Sequence, residues 1–130
     1  RHSRCDASRG RTEDSGRVKG GRGGLLQSRG SMVRFQKNAA IAEAEGFRCW
    51  HGSGVDLGIR EHSYIHAIAT APNCTMASDI VGSWVREDNL IEEDLAFEEG
   101  FVATPIKPGL GCEMDRVAVE GYSKGYEVVS

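Results

Sequence analysis

The sequence predicts an α/β chain built of parallel βα units, and three observations predict it. Between Ser31 and Ala71 apolar residues recur twice at helical spacing, and each helical run leads into a short apolar run ending in turn residues. Capping residues stand where those helices would begin and end. The composition also breaks near residue 31, separating a basic stretch from an acidic one.

In SMVRFQKNAAIAEAEG, 31–46, the residues Met32, Phe35, Ala39, Ile41 and Ala42 mark the inward face of a first helix. Ser31 suits its N-cap, because a hydroxyl there accepts an amide that has no partner inside the helix. Gly46 suits the position just past its end, where the backbone turns left-handed. Phe47 to His51 reads as a short strand and GSGVD as a loop. GIREHSYIHAIATA, 58–71, reads as a second helix with Ile65, Ile68 and Ala69 inward and Pro72 as its stop. CTMASDIVG, 74–82, reads as a second strand and a turn. Helix, strand, helix, strand in that order implies parallel strands joined by helices. Four such elements neither close a barrel nor cover both faces of a sheet, so a larger α/β body is expected around them. Further on, SWVREDNLIEEDLAFEEG is acidic, and its run from Glu87 to Glu99 is read as a solvated face. FVATPIKPGLGCEMD holds two of the three prolines and reads as a hairpin-like excursion. MDRVAVEGYSKG reads as a short final helix that Val117, Val119 and Gly121 weaken.

Composition sets outer limits. The 130 residues are 39% hydrophobic and 27% charged, as in a soluble globular domain or part of one. No apolar run is long enough to span a bilayer, and the start has no signal-peptide core, so a cytoplasmic protein without membrane contact is expected. The first residue is not Met, which suggests an incomplete chain. Cys5, Cys49, Cys74 and Cys112 form no CxxC pair, so reduced thiols are expected rather than zinc ligands. Residues 1–31 carry eight Lys/Arg against three Asp/Glu, and residues 32–130 carry eight against sixteen. Up to Leu25 and Leu26 the basic part has few large apolar residues, so a disordered Gly/Arg-rich segment is expected over 1–30. Its GGRGG resembles RNA-binding arms, but it occurs once and lacks interleaved aromatics, so nucleic acid is not the expected partner.

The order AAIAEAEGF, CWHGSGVDLGI, APNCTMASDIVG, then PGLG followed by an acidic residue, resembles the C-terminal stretch of the mandelate racemase and muconate lactonizing enzymes of the enolase superfamily. The resemblance implies the C-terminal fragment of a modified TIM-type (β/α)7β barrel. Residues 1–30 would be a disordered arm, 31–82 the last βα units, and 83–130 a tail returning towards a capping domain. It implies Mg2+-assisted abstraction of a proton α to a carboxylate, by a racemase, epimerase, dehydratase or cycloisomerase using a Lys or His base. The Mg2+ ligands would sit on earlier strands, so no metal ligand is expected in this chain and the fragment alone is expected to be inactive. Its partners would be a small carboxylate substrate and the missing barrel and cap, with a homo-oligomer left open. A non-catalytic α/β fragment or interaction protein is the alternative.

Active sites of such barrels lie at the C-terminal ends of the strands. Asp79 matches the acidic residue ending the eighth strand, which meets the substrate as proton donor or hydrogen-bond partner; a turn cap is the competing role. Asp56 matches the acid of the seventh-strand loop and either meets substrate or caps the helix beginning near Leu57. Ser53 is an implied substrate contact, and His51 is either a substrate contact or a strand-end His bonded to backbone. The catalytic His of the racemase branch falls nearer Gly54, so His51 does not match it, and HGSG lacks the spacing of a hydrolase nucleophile. For the lysine base at the end of strand six two registers stand. VKGGRGG, 18–24, offers Lys19, whereas LLQSRGS, 25–31, fits the helix length better and contains no lysine. His62 and His66 share a helix face at metal-compatible spacing, but for want of a third ligand they are read as packing residues.

Overall fold

The computed structural model describes residues 24–123. Strand β1 is Leu25–Ser28, helix α1 Met32–Ala44, strand β2 Arg48–His51 and helix α2 Gly58–Ala69. The two strands pair in parallel, with Leu26 opposite Cys49 and Ser28 opposite His51. Leu25–Ser28 corrects the expectation of disorder across 1–30, because Leu26 packs against the core. The rest of that expectation, residues 1–23 with Lys19, lies outside the described residues.

Helix α1 begins as its sequence requires. Ser31 has extended backbone and its hydroxyl accepts the Arg34 amide at 3.4 Å. Beyond its end Gly46 takes a φ of +74°, a conformation that glycine adopts without steric cost. Phe35, Ala39 and Ala42 are buried, but Ile41 is 65% exposed, off the stripe that the other three define. In α2 the inward residues are Tyr64, Ile65, Ala67 and Ile68; Ala69 turns outward, one position too far round the helix.

The expected strand at 74–82 reduces to one parallel bridge, Cys49 to Cys74. Asn73 anchors it: its carbonyl accepts the Cys49 amide at 3.0 Å, and its side chain donates to the carbonyls of Ala39 and Phe47. Beyond the bridge, polar groups of this segment bond to the β2–α2 loop and to α2 rather than extending a ladder.

Side chains alternate across a strand. Both helices pack on one face of the sheet, where Ser28, Cys49 and His51 are buried. Leu25, Gln27, Arg48 and Trp50 are on the other face. The core joins Phe35, Ala39, Cys49, Tyr64, Ile65, Ile68, Ile80 and Val102.

The tail adds α3 (Gly82–Val85), strands β3 (Phe97–Glu98) and β4 (Phe101–Val102), and α4 (Arg116–Tyr122). The hairpin therefore precedes the proline stretch instead of falling in it. Glu99 and Gly100, at φ of +50° and +81°, make the tight two-residue turn that suits the twist of paired strands. The final helix forms because Asp115 caps it, accepting the Ala118 amide at 2.9 Å. Among the described residues no helix is long and apolar enough to cross a membrane.

Candidate functional site at the strand ends

Because β1 and β2 are parallel, Ser28 and His51 end together, and the loop after His51 rises from that shared end. The Gly52 amide donates back to the Ser28 carbonyl at 3.0 Å. The next amide, that of Ser53, donates to Asp79 Oδ1 at 2.5 Å. Asp79 is half-buried between the buried Ser78 and Ile80. Ile80 belongs to the core, whereas the Asp79 carboxylate is held at the loop by the Ser53 amide.

Ser53 also reaches Asp56. Its hydroxyl donates to Asp56 Oδ2 at 3.4 Å and accepts the Val55 amide at 3.1 Å. Asp56 Oδ2 further accepts the Gly54 amide and the Tyr64 hydroxyl, each at 2.9 Å, while Oδ1 pairs with Arg60 at 3.0 Å. Burial alone would raise the pKa of Asp56, but the Gly54 amide, the Tyr64 hydroxyl and Arg60 together hold it below the usual carboxylate value. Burial, with Asp56 as the hydrogen-bond acceptor, pushes Tyr64 up to about 12. Asp56 therefore fastens the loop to α2. It is not the helix cap, since the N-cap is Leu57 with no side-chain bond.

His51 corrects another expectation. Its ring is fully buried, 4.7 Å from the Phe35 ring and 3.9 Å from that of Tyr64. It faces the helices, so it does not meet a ligand on the open side of the strands; Trp50 has that side. Burial is the main cause that lowers its pKa to about 4, which keeps the imidazole neutral. Neither ring nitrogen has a hydrogen-bond partner among the described residues.

His62 Nδ1 and His66 Nε2 both lie near the Leu110 carbonyl, at 3.2 and 3.1 Å, so this helix face holds the PGLG turn. Lys19 lies outside the described residues, and β1 itself carries no lysine. Among the described residues no three His, Cys, Asp or Glu side chains converge on a point that would hold a cation.

Three participants escaped the sequence analysis. Glu61 is buried at 1% exposure, its pKa raised by burial, and its Oε1 accepts the Gly82 amide at 2.6 Å. Nothing in GIREHSYIH distinguished it from a surface acid. Gln27 and Arg29 lie across Gly52: a Cβ there would stand 2.3 Å from Gln27 Nε2 and 2.7 Å from Arg29 Nε. Their signal was the alternation of LLQSR, which the register taking 25–31 as strand six already offered.

Residues 26–118 match the family described as enolase C-terminal domain-like. A chloromuconate cycloisomerase of Cupriavidus necator is 31% identical over 99 residues, covering 76% of this chain and 27% of the relative. A probable glucarate dehydratase of Streptomyces coelicolor is 37% identical over 87 residues, covering 67% of this chain and 20% of the relative. The solved muconate lactonizing enzyme of Klebsiella pneumoniae superposes with a TM-score of 0.62 at 28% identity, over 67% of this chain and 24% of that one. The chain thus spans about a quarter of the length of such relatives.

Proposed function

We propose, from the premise that this chain belongs to the mandelate racemase and muconate lactonizing family of the enolase superfamily as its C-terminal part, that it supplies the closing strand ends of an enzyme that abstracts a proton α to a carboxylate. Cycloisomerase, dehydratase and epimerase outcomes share that step, and sequence relatives with the first two names match this chain. The observation that carries the proposal is the half-buried Asp79 carboxylate, held by the Ser53 amide beside the strand ends. An acid so placed bonds to a substrate oxygen or returns a proton to the reacting carbon. Ser53 sets its position, and Asp56 sets the position of Ser53.

Mg2+, which the family implies, would stabilise the enediolate when bound. The described residues do not fit it. The Asp56 oxygens are taken by three donors and Arg60, Asp79 is engaged by an amide, and among the described residues no third acid joins them. The ion's ligands belong to strands that precede this chain, and the 130 residues alone would be inactive. Lys19 remains a candidate base outside the described residues.

The test completes the barrel with the preceding strands and capping domain of a cycloisomerase relative. Asp79→Asn is expected to lower kcat by at least about tenfold at unchanged melting temperature, as loss of a positioned acid does. Unchanged turnover, or a loss explained by unfolding, refutes the role.

A further inference from the structure

We propose that Cys49 and Cys74 are a redox-active pair, which a low-molecular-weight disulfide oxidises to a cross-link between β2 and the segment that leads to Asp79. The two cysteines stand directly opposite each other in the parallel bridge. Residues paired in this way on neighbouring strands send their side chains to the same face. That face is the helix side of β2: Cys49 is fully buried there, and Cys74 packs against the same core. Neighbouring strands run about 4.8 Å apart, within the roughly 4.4–6.8 Å that a disulfide accepts between its Cα atoms. The Cys74 thiol is hydrogen-bonded to that of Cys49. The backbone fixes this alignment, since the Asn73 carbonyl accepts the Cys49 amide at 3.0 Å and the Asn73 side chain donates to the carbonyls of Ala39 and Phe47.

Exposure divides the chemistry between the two thiols. Cys74 is half-buried and meets the oxidant first: its thiolate attacks one sulfur of the external disulfide and the other sulfur leaves as a thiolate. Cys49, as thiolate, then attacks the Cys74 sulfur of that mixed disulfide and expels the second external thiolate. One S–S bond forms in the protein, one external disulfide is reduced to two thiols, and those thiols take up the protons that the cysteines lose. Burial pushes the Cys49 thiol up, with the Cys74 hydrogen bond opposing and Glu43 assisting, so Cys49 is a poor nucleophile towards anything outside. The sulfur it attacks is already held beside it, so proximity supplies what the thiolate fraction does not. The cross-link closes the β2–α2 loop and α2 into one ring, and it fastens the segment before Asp79 by a covalent bond in place of hydrogen bonding.

The test equilibrates the 130-residue chain with mixtures of reduced and oxidised glutathione, with and without urea, then quenches, alkylates the remaining thiols and reads the products by mass spectrometry. In the Cys5→Ser/Cys112→Ser variant the equilibrium constant for the cross-link against glutathione is expected to be at least about tenfold larger without urea than with it. The reason is linkage: a bond that stabilises the fold is favoured by the fold in the same proportion. Proteolysis of the oxidised wild-type chain should give a peptide joining Cys49 to Cys74 ahead of any that contains Cys5 or Cys112. Cys49→Ser should stop at a glutathione adduct on Cys74, whereas Cys74→Ser should leave Cys49 unmodified without urea. Equal equilibrium constants in the two solvents, or wild-type cross-links scattered over all four cysteines without urea, overturn the proposal. No turnover is measured, so the cross-link stands or falls apart from the role of Asp79.

Discussion

Asp56 and Tyr64 form the contact on which the loop's shape depends, and its strength can be worked out. The Tyr64 hydroxyl donates to Asp56 Oδ2 at 2.9 Å, and the ring is 1% exposed. Tyr64→Phe keeps the ring packing and removes only the donor. A hydrogen bond to a charged acceptor contributes about 1.5–3 kcal/mol. The lower end applies, because Asp56 keeps the Gly54 amide and Arg60 and is not stranded. A loss of about 1.5–2 kcal/mol is expected, which for roughly 100 ordered residues lowers the melting temperature by about 6–15 °C. Asp56→Asn exchanges the charged acceptor for a neutral one and loses Arg60, whose side chain is 55% exposed, so that the ion pair adds at most about 1 kcal/mol. The two substitutions should couple by about 1–2 kcal/mol in a double-mutant cycle read by urea unfolding with tryptophan fluorescence. The pH dependence is fixed in sign. Asp56 is depressed below 3.8 in the folded state, so its contribution is fully present above that value and disappears as pH falls through the lowered pKa. The gap between wild type and Tyr64→Phe should hold from neutral to mildly acid pH and narrow below about pH 4. A gap under about 0.5 kcal/mol, or effects additive within about 0.3 kcal/mol, refutes the coupling.

Two further outcomes concern the same region. His51 has its pKa lowered to about 4 chiefly by burial, with the charges of Asp79 and Asp56 opposing and that of Arg60 assisting, so the unfolded chain takes up its proton first as pH falls. Stability from this group is complete above about 6.5 and is lost as pH falls towards 4; urea midpoints of His51→Leu should decline less across that window than those of wild type, and parallel decline would contradict the assignment. Gly82→Ala would place a Cβ 2.2 Å from the Asp56 carbonyl and 2.4 Å from Glu61 Oε1, so a thermal melt should show a loss of at least about 1–3 kcal/mol, and a wild-type melt would show that the loop yields freely.

The parts of this structure that follow from local rules were legible in the sequence. Ser31, Phe35, Ala39 and Gly46 fix α1 through capping and a 3.6-residue period, and both signals are contained within sixteen residues. Asp79 and Ser53 were found as positions, although the bond between them spans 26 residues and has no local signature. What failed was orientation. His51 and Trp50 are neighbours, and a strand sends neighbours to opposite faces, so a strand placed correctly still left open which of them meets solvent. The face is decided by α1 and α2, whose Phe35 and Tyr64 close on His51. Glu61 was illegible for a related reason. Its acceptor role depends on Gly82, 21 residues on, and a helix-borne glutamate is usually solvated.

The position of Asp79 is the product of three long-range clamps rather than of a strand. The bridge between Cys49 and Cys74 sets the segment beside β2, the Ser53 amide takes the carboxylate, and Glu61 takes the Gly82 amide three residues further on. Two of the three fastenings originate in β2 or its loop and the third in α2, so the acid is referenced to elements that precede it. Gly82 must be bare, because the Asp56 carbonyl and the Glu61 carboxylate both occupy the space where its Cβ would stand. The buried Glu61 is a costly choice, since burial penalises its charge and raises its pKa. Its stabilising contribution is thus not the charge but the one acceptor it offers to a buried amide, which would otherwise lose a hydrogen bond altogether. An apolar residue at 61 would remove the desolvation penalty and strand that amide, letting the Asp79 segment drift from Ser53. The carboxylate that does no chemistry is in this way what holds the carboxylate proposed to do it.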